Sequence, residues 1–224
     1  VTAFAIIKQS DSIHVVTDGL VTGGYGIVSK AFTIPHMNAV VVSRGAQTVA
    51  PFFITETWLC RDLDELRERC GDIARHCLET NRDMMTGGPD HEPDFDIRIA
   101  GWSPTKGPIA FWVYGSNSVP GAEPFRVYDM PGNITFAPHN ASIQSEVVAK
   151  ILRARRSDEI RPDLAGPRII EIIRRHAQSH SQSKHQVGGH ALLTSIFKEH
   201  IEQHIVREWP EHLVTEGTDE ASAA

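Results

Sequence analysis

The stretch VTAFAIIKQSDSIHVVTDG (residues 1–19) decides how the rest of the chain is read. Ala3, Phe4, Ala5, Ile6 and Ile7 form a short apolar run. Lys8-Gln9-Ser10-Asp11-Ser12 interrupts it, and Ile13, Val15 and Val16 resume it before Thr17-Asp18-Gly19. Two short runs of strand-forming residues around a polar turn predict an antiparallel hairpin. No basic segment precedes the first run, and the run is too short for a signal sequence or a membrane span, so neither is expected. Chain termini ordinarily fray. A terminus that passes straight into a core strand is held in place, which suits a terminus that carries chemistry.

Working outward, residues 24–45 predict further strands. Ile27-Val28 and Ala31–Ile34 come first, then a turn over Pro35-His36-Met37-Asn38, then Ala39-Val40-Val41-Val42-Ser43 ending at Arg44-Gly45. The last run is apolar throughout and reads as buried on both faces. An apolar-rich helix is expected over Gln47–Cys60. Asp62, with Glu65 three residues later, forms a capping-box pattern that opens a second helix. Its apolar positions, Leu63, Leu66, Cys70, Ile73, Ala74, Cys77 and Leu78, follow helical spacing. A Gly/Pro/Asp loop covers 86–94, and a strong hairpin follows, Phe95, Ile97 and Ile99 against Ile109, Phe111 and Val113. Weaker strands are expected at 127–128 and 134–136, helices at about 142–155 and 163–180, and a buried strand over His190–Phe197. The stretch from 215 is small, polar and acidic, a composition that reads as disordered. The order is strands, two helices, strands, two helices, strands, which predicts an α+β protein with sheets between helix layers.

The bulk numbers bound the function. The chain has 224 residues and 41% hydrophobic content, enough to bury a sizeable core. A formal net charge of −6 argues against a nucleic-acid binder, because phosphate binding needs a basic face. Cys60, Cys70 and Cys77 lack the spacing of a metal or redox motif and read as reduced core thiols of a cytoplasmic protein.

The opening hairpin and the element order resemble the proteasome β-subunit and HslV family of N-terminal-nucleophile (Ntn) hydrolases, over roughly residues 2–205. Members begin with Thr, a strand, a short turn and a second strand ending in an acidic residue. Here Thr2 leads the first strand and Asp18 closes the second, sixteen residues on. The motif SKAFTI supplies Lys30, and AVVVSRGAQTVAPFF matches the family's apolar strand, Gly-containing turn and helix. The resemblance implies one αββα four-layer sandwich over residues 2–214. Two departures stand out. FAPHNAS replaces a Ser-Gly turn, and QSKHQV, ahead of Gly188-Gly189, lacks the family's Asp, with Ser181 or Ser183 as substitutes for its Ser.

The resemblance implies a threonine-type hydrolase of peptide or other amide bonds. Thr2 would be nucleophile and base in one residue, its hydroxyl attacking and its α-amine, with an ordinary pKa of about 7.7–8.0, taking the proton. Lys30 would lower the amine's pKa and Asp18 would hold Lys30. Backbone amides at Ser43, Arg44 and Gly45 would bind the oxyanion. Val1 blocks that amine unless it is removed, as for a GTG start codon written as Val but initiated with Met. Implied partners are a peptide or unfolded-protein substrate, a homo-oligomeric ring and an ATPase; no cofactor and no metal is implied. Phe52, Phe53, Ile54, Trp58 and Leu59 make a stretch apolar nearly all round, which suits burial by a neighbouring copy. A catalytically silent ring subunit and a small-molecule Ntn amidase are the alternative readings. Among the twelve histidines, His176/His180 and His200/His204 share faces but lack a ligand set, so they read as solvated or interface residues.

Overall fold

A computed structural model of the chain describes residues 2–20, 26–46, 48–86, 94–116, 119, 121–138, 140–152, 156–179 and 187–209. Val1, the core of the 86–94 loop, His180, Ser181, Ser183 and the 215–224 tail lie outside the described residues.

The described strands form two antiparallel five-stranded sheets. One has the order β10 (Ile201–Glu208), β9 (His190–Ile196), β2 (Ile13–Asp18), β1 (Phe4–Lys8), β8 (Ile134–Ala137). The other runs β3 (Ala31–Ile34), β4 (Ala39–Gly45), β5 (Phe95–Ser103), β6 (Gly107–Tyr114), β7 (Val127–Asp129). Helices α1 (Val49–Thr57) and α2 (Leu63–Thr86) fall between β4 and β5 in sequence. Helices α3 (Ala141–Val147), extended by a π turn over Val148–Leu152, and α4 (Pro162–Ser179) fall between β8 and β9.

The opening hairpin forms as expected, in the register Phe4↔Thr17 through Lys8↔Ile13. Its strands feed two cores, because successive strand residues point to opposite faces. Ala3, Ala5, Ile7 and Val16 pack against Ile143, Val147, Ile169, Ile170 and Ile173 of α3 and α4. Phe4, Ile6, Ile13 and Val15 turn the other way and meet Val40, Val42, Ala100 and Ala110 of the second sheet. A third core joins that sheet to α1 and α2, with Val41, Ile97, Ile99 and Phe111 against Phe53, Leu63, Leu66, Cys70 and Cys77. The three cysteines are free and buried. No described helix is long and apolar enough to cross a membrane.

The cap ahead of α2 forms around Asp62, whose Oδ1 accepts from the Glu65 amide at 3.0 Å. The Glu65 carboxylate reaches one residue further back than a capping box requires, accepting from the Arg61 amide at 2.9 Å. Asn140 caps α3, its side chain accepting from the Ile143 amide at 2.9 Å.

Three placements differ from the sequence reading. β10 was not expected; it is an edge strand with most residues exposed, so no apolar face announces it. Arg174, in the helix expected at 163–180, is buried although charged, and stacks over Trp209 at 5.7 Å. Asp96 and Arg98, the polar members of an alternating strand, are also buried. They face the layer between the sheets, where Arg98 lies over the Phe4 and Trp112 rings at 5.5 and 4.6 Å and pairs with Asp96 at 3.2 Å.

Candidate active site

Thr2 stands just ahead of β1, half-buried. The residue after it is tied to the far end of the hairpin by two hydrogen bonds. The Asp18 amide donates to the Ala3 carbonyl at 3.0 Å. In return the Ala3 amide donates to Asp18 Oδ1 at 2.8 Å. Asp18 is therefore both the last residue of β2 and a side-chain anchor for the start of β1.

Lys30 lies immediately before β3, in the other sheet, and its Nζ donates to both carboxylate oxygens of Asp18 at 2.9 Å. The Gly188 amide approaches Asp18 Oδ2 at 3.4 Å. Asp18 is fully buried and the Lys30 side chain is 11% exposed. An ionised carboxylate has about four lone-pair sites, and the donors from Ala3, Lys30 and Gly188 occupy both oxygens. Burial pushes the Asp18 carboxyl up, against the pull of Lys30 and the two amides. Burial likewise pushes the Lys30 ammonium down, and Asp18 opposes it. The geometry is that of a buried charged pair, fixed one residue from Thr2.

Ser43, Arg44 and Gly45 end β4. Ala31 pairs with Val42, so the register sets Lys30 level with Ser43. Arg44 stands opposite Asp96 across β4 and β5 and donates to its carboxylate at 3.5 Å. Gly45 has φ of +84°, and a Cβ there would sit 1.8 Å from the Asp94 carbonyl oxygen. Only glycine fits this strand end, which leads into α1. The structure thus joins Asp18 to Lys30, ties Asp18 to the residue after Thr2, and sets the end of β4 level with Lys30.

Two features were not singled out from the sequence. The Asp96–Arg98 pair, with the Tyr114 hydroxyl 3.4 Å from Arg98, lies beneath Phe4 on the same strand as Thr2's successor. His190 opens β9 directly after Gly188-Gly189, beside Ala191, which pairs with Asp18. Its ring occupies the place of a side chain at Gly19, where a Cβ would be 2.4 Å from the His190 Cε1. The Gly-Gly-His sequence was the available signal; its nearness to Asp18 depends on strand order, which a linear reading does not supply.

Neither a protein-family model nor a curated protein matches the sequence. Solved structures do match. A Gly-1 mutant of Anbu from Hyphomicrobium sp. strain MC1 aligns with a TM-score of 0.63 at 11% identity, over 92% of this chain and 87% of its own. Anbu from Yersinia bercovieri, described as an ancestral β-subunit, aligns with a TM-score of 0.61 at 11% identity, over 94% of this chain and 89% of its own. The likeness supports the β-subunit side of the resemblance and does not point to HslV. At this identity the shared property is the fold, and the chain has the fold of the Anbu β-subunit.

Proposed function

We propose that this chain is a proteasome-like, threonine-type hydrolase of peptide bonds, built as an αββα Ntn sandwich with Thr2 as nucleophile. The observation that carries the reading is the buried Asp18–Lys30 pair, bonded to the amide next to Thr2. Once the residue before it is removed, Thr2 has a hydroxyl to attack the substrate carbonyl and an amine to take the proton. The Lys30 ammonium disfavours a second cation nearby, which lowers the amine's pKa and keeps it free to act as base. The same charge stabilises the alkoxide of Thr2. Asp18 holds Lys30 in place, and amides at Ser43–Gly45 receive the oxyanion. The amine then returns the proton to the leaving nitrogen, and water resolves the ester formed on Thr2. In protein made from its native start, intact mass should lack Val1 and hydrolysis should vanish in Thr2→Ala. A retained first residue, or an active Thr2→Ala, would remove the nucleophile.

The ring assembly belongs to the same proposal. Trp58 and Leu59 are 70% and 69% exposed at the end of α1, with His36 stacked on Trp58 at 4.9 Å. Two large adjacent apolar side chains in water suit burial by another copy of the chain. Light scattering should report several times the chain mass of 24.8 kDa. A clean monomer would overturn the ring and favour a small-molecule amidase.

A further inference from the structure

We propose that β10 is a pairing edge for a second copy of this chain, the two β10 strands running antiparallel about a two-fold axis at Gln203. The contact is separate from the α1 surface of Trp58 and Leu59 and does not rest on the threonine reading.

The described sheets end on four strands. β8 and β3 have four residues each, and β7 has three. Edges this short offer little ladder to a foreign strand. β10 has eight residues, pairs with β9 on one side, and carries no strand on the other among the described residues. Its sequence, IEQHIVRE, has neither the lysine nor the proline that commonly blunts an edge. Glu202, Gln203, His204 and Ile205 are exposed, and Ile205, at 54%, is a large apolar side chain in water. The bulge falls between Ile205 and Arg207, so the strand is regular over Ile201–Ile205.

That regular stretch is complementary to itself. Antiparallel pairing about Gln203 sets Ile201 opposite Ile205 and Glu202 opposite His204, each twice, with the two Gln203 amides at the centre. Ile201, Gln203 and Ile205 share one face of the strand, and Glu202 and His204 share the other. Apolar pairs and carboxylate–imidazole pairs therefore separate onto the two faces of the joined sheet, and Ile205 is covered by Ile201 of the other copy. Beyond the regular stretch, Lys198 and Glu199 of the β9–β10 turn come level with Glu208 and Arg207 of the other copy, again opposite in sign. Other registers lose this match. An axis at Glu202 opposes Glu202 to itself, an axis at His204 opposes His204 to itself, and both leave isoleucine against glutamine. The contact uses one patch on both copies, so it closes at two and joins their five-stranded sheets edge to edge.

The test is made on the full chain. In the Gln203→Cys variant the opposed Cα atoms would stand about 4.5–5.5 Å apart, within the reach of a disulfide. Diamide, as oxidant, takes the two electrons and two protons of the opposed thiols, and the native Cys60, Cys70 and Cys77 are buried. The expected result is a disulfide between two copies. Glu202→Cys and His204→Cys should each fail to cross-link alone and should cross-link to one another when mixed. Ile205→Lys, at an exposed position that spares the core, should halve the mass found by light scattering. Glu202→Lys and His204→Glu should each weaken association on the order of tenfold, since each change acts twice about the axis. The double variant Glu202→Lys/His204→Glu should restore it. A Trp58→Ser/Leu59→Ser variant removes the α1 patch and should leave the Gln203→Cys cross-link intact, which tells the two contacts apart. No cross-link at Gln203→Cys, or an unchanged mass in Ile205→Lys, overturns the proposal. An edge that instead takes an extended segment of a different protein would leave the purified chain without the cross-link, and overturns it as well.

Discussion

Lys30→Met should lower kcat/KM by at least about 10²-fold, the loss typical of removing a preorganised electrostatic stabiliser. It should also destabilise the fold by about 3–5 kcal/mol, because it leaves a fully buried carboxylate without its cation. Turnover and stability then separate in the double variant Lys30→Met/Asp18→Asn. The neutral amide can still accept from the Ala3 amide, which donates to Asp18 Oδ1 at 2.8 Å. Most of the stability should return, since a buried ion pair replaced on both sides costs little. None of the rate should return. Urea midpoints and kcat/KM on the four proteins of this cycle give the answer. A double variant that regains turnover with stability would show that the pair serves only to join β2 to the start of β3.

Gly45→Ala is expected to be the most damaging single methyl group that can be added near the site. The backbone at Gly45 has φ of +84°, and the new Cβ would lie 1.8 Å from the Asp94 carbonyl oxygen. Neither the left-handed conformation nor backbone of a neighbouring strand yields cheaply. The end of β4 has to move away from β5, at a cost of about 2–4 kcal/mol. The amides of Ser43–Gly45 move with it, so turnover should fall more steeply than stability predicts. A urea midpoint and a rate both close to the parent would mean that the oxyanion is bound elsewhere.

Much of the frame was legible because the pattern was local. Ala3–Ile7 and Ile13–Val16 are short apolar runs about a polar turn, and they form β1 and β2. Asp62 and Glu65 announced the start of α2, and the spacing of Leu63, Leu66, Cys70 and Cys77 announced its buried face. Asp96 and Arg98 show the limit of alternation. A period of two tells which residues share a face, but a polar face between two sheets has the same pattern as one in water. β10 carries Glu202, His204, Arg207 and Glu208 on an exposed edge, so its sequence has no burial signal to read. Asp18 and Lys30 were paired through a family resemblance, since nothing in their spacing alone brings a strand end of one sheet to the other. The contact of His190 with Gly19 spans most of the chain and exists only because β9 lies beside β2.

The most direct measurement is covalent. Protein made from its native start is incubated with a peptide epoxyketone, which needs both the hydroxyl and the free amine of an N-terminal threonine, and the adduct is located by mass mapping. One label per chain at Thr2, absent from Thr2→Ala and slowed in Lys30→Met, is the predicted result. A chain that keeps Val1 and takes no label at Thr2 would contradict the threonine mechanism and leave the Asp18–Lys30 pair as part of a non-catalytic β-subunit fold.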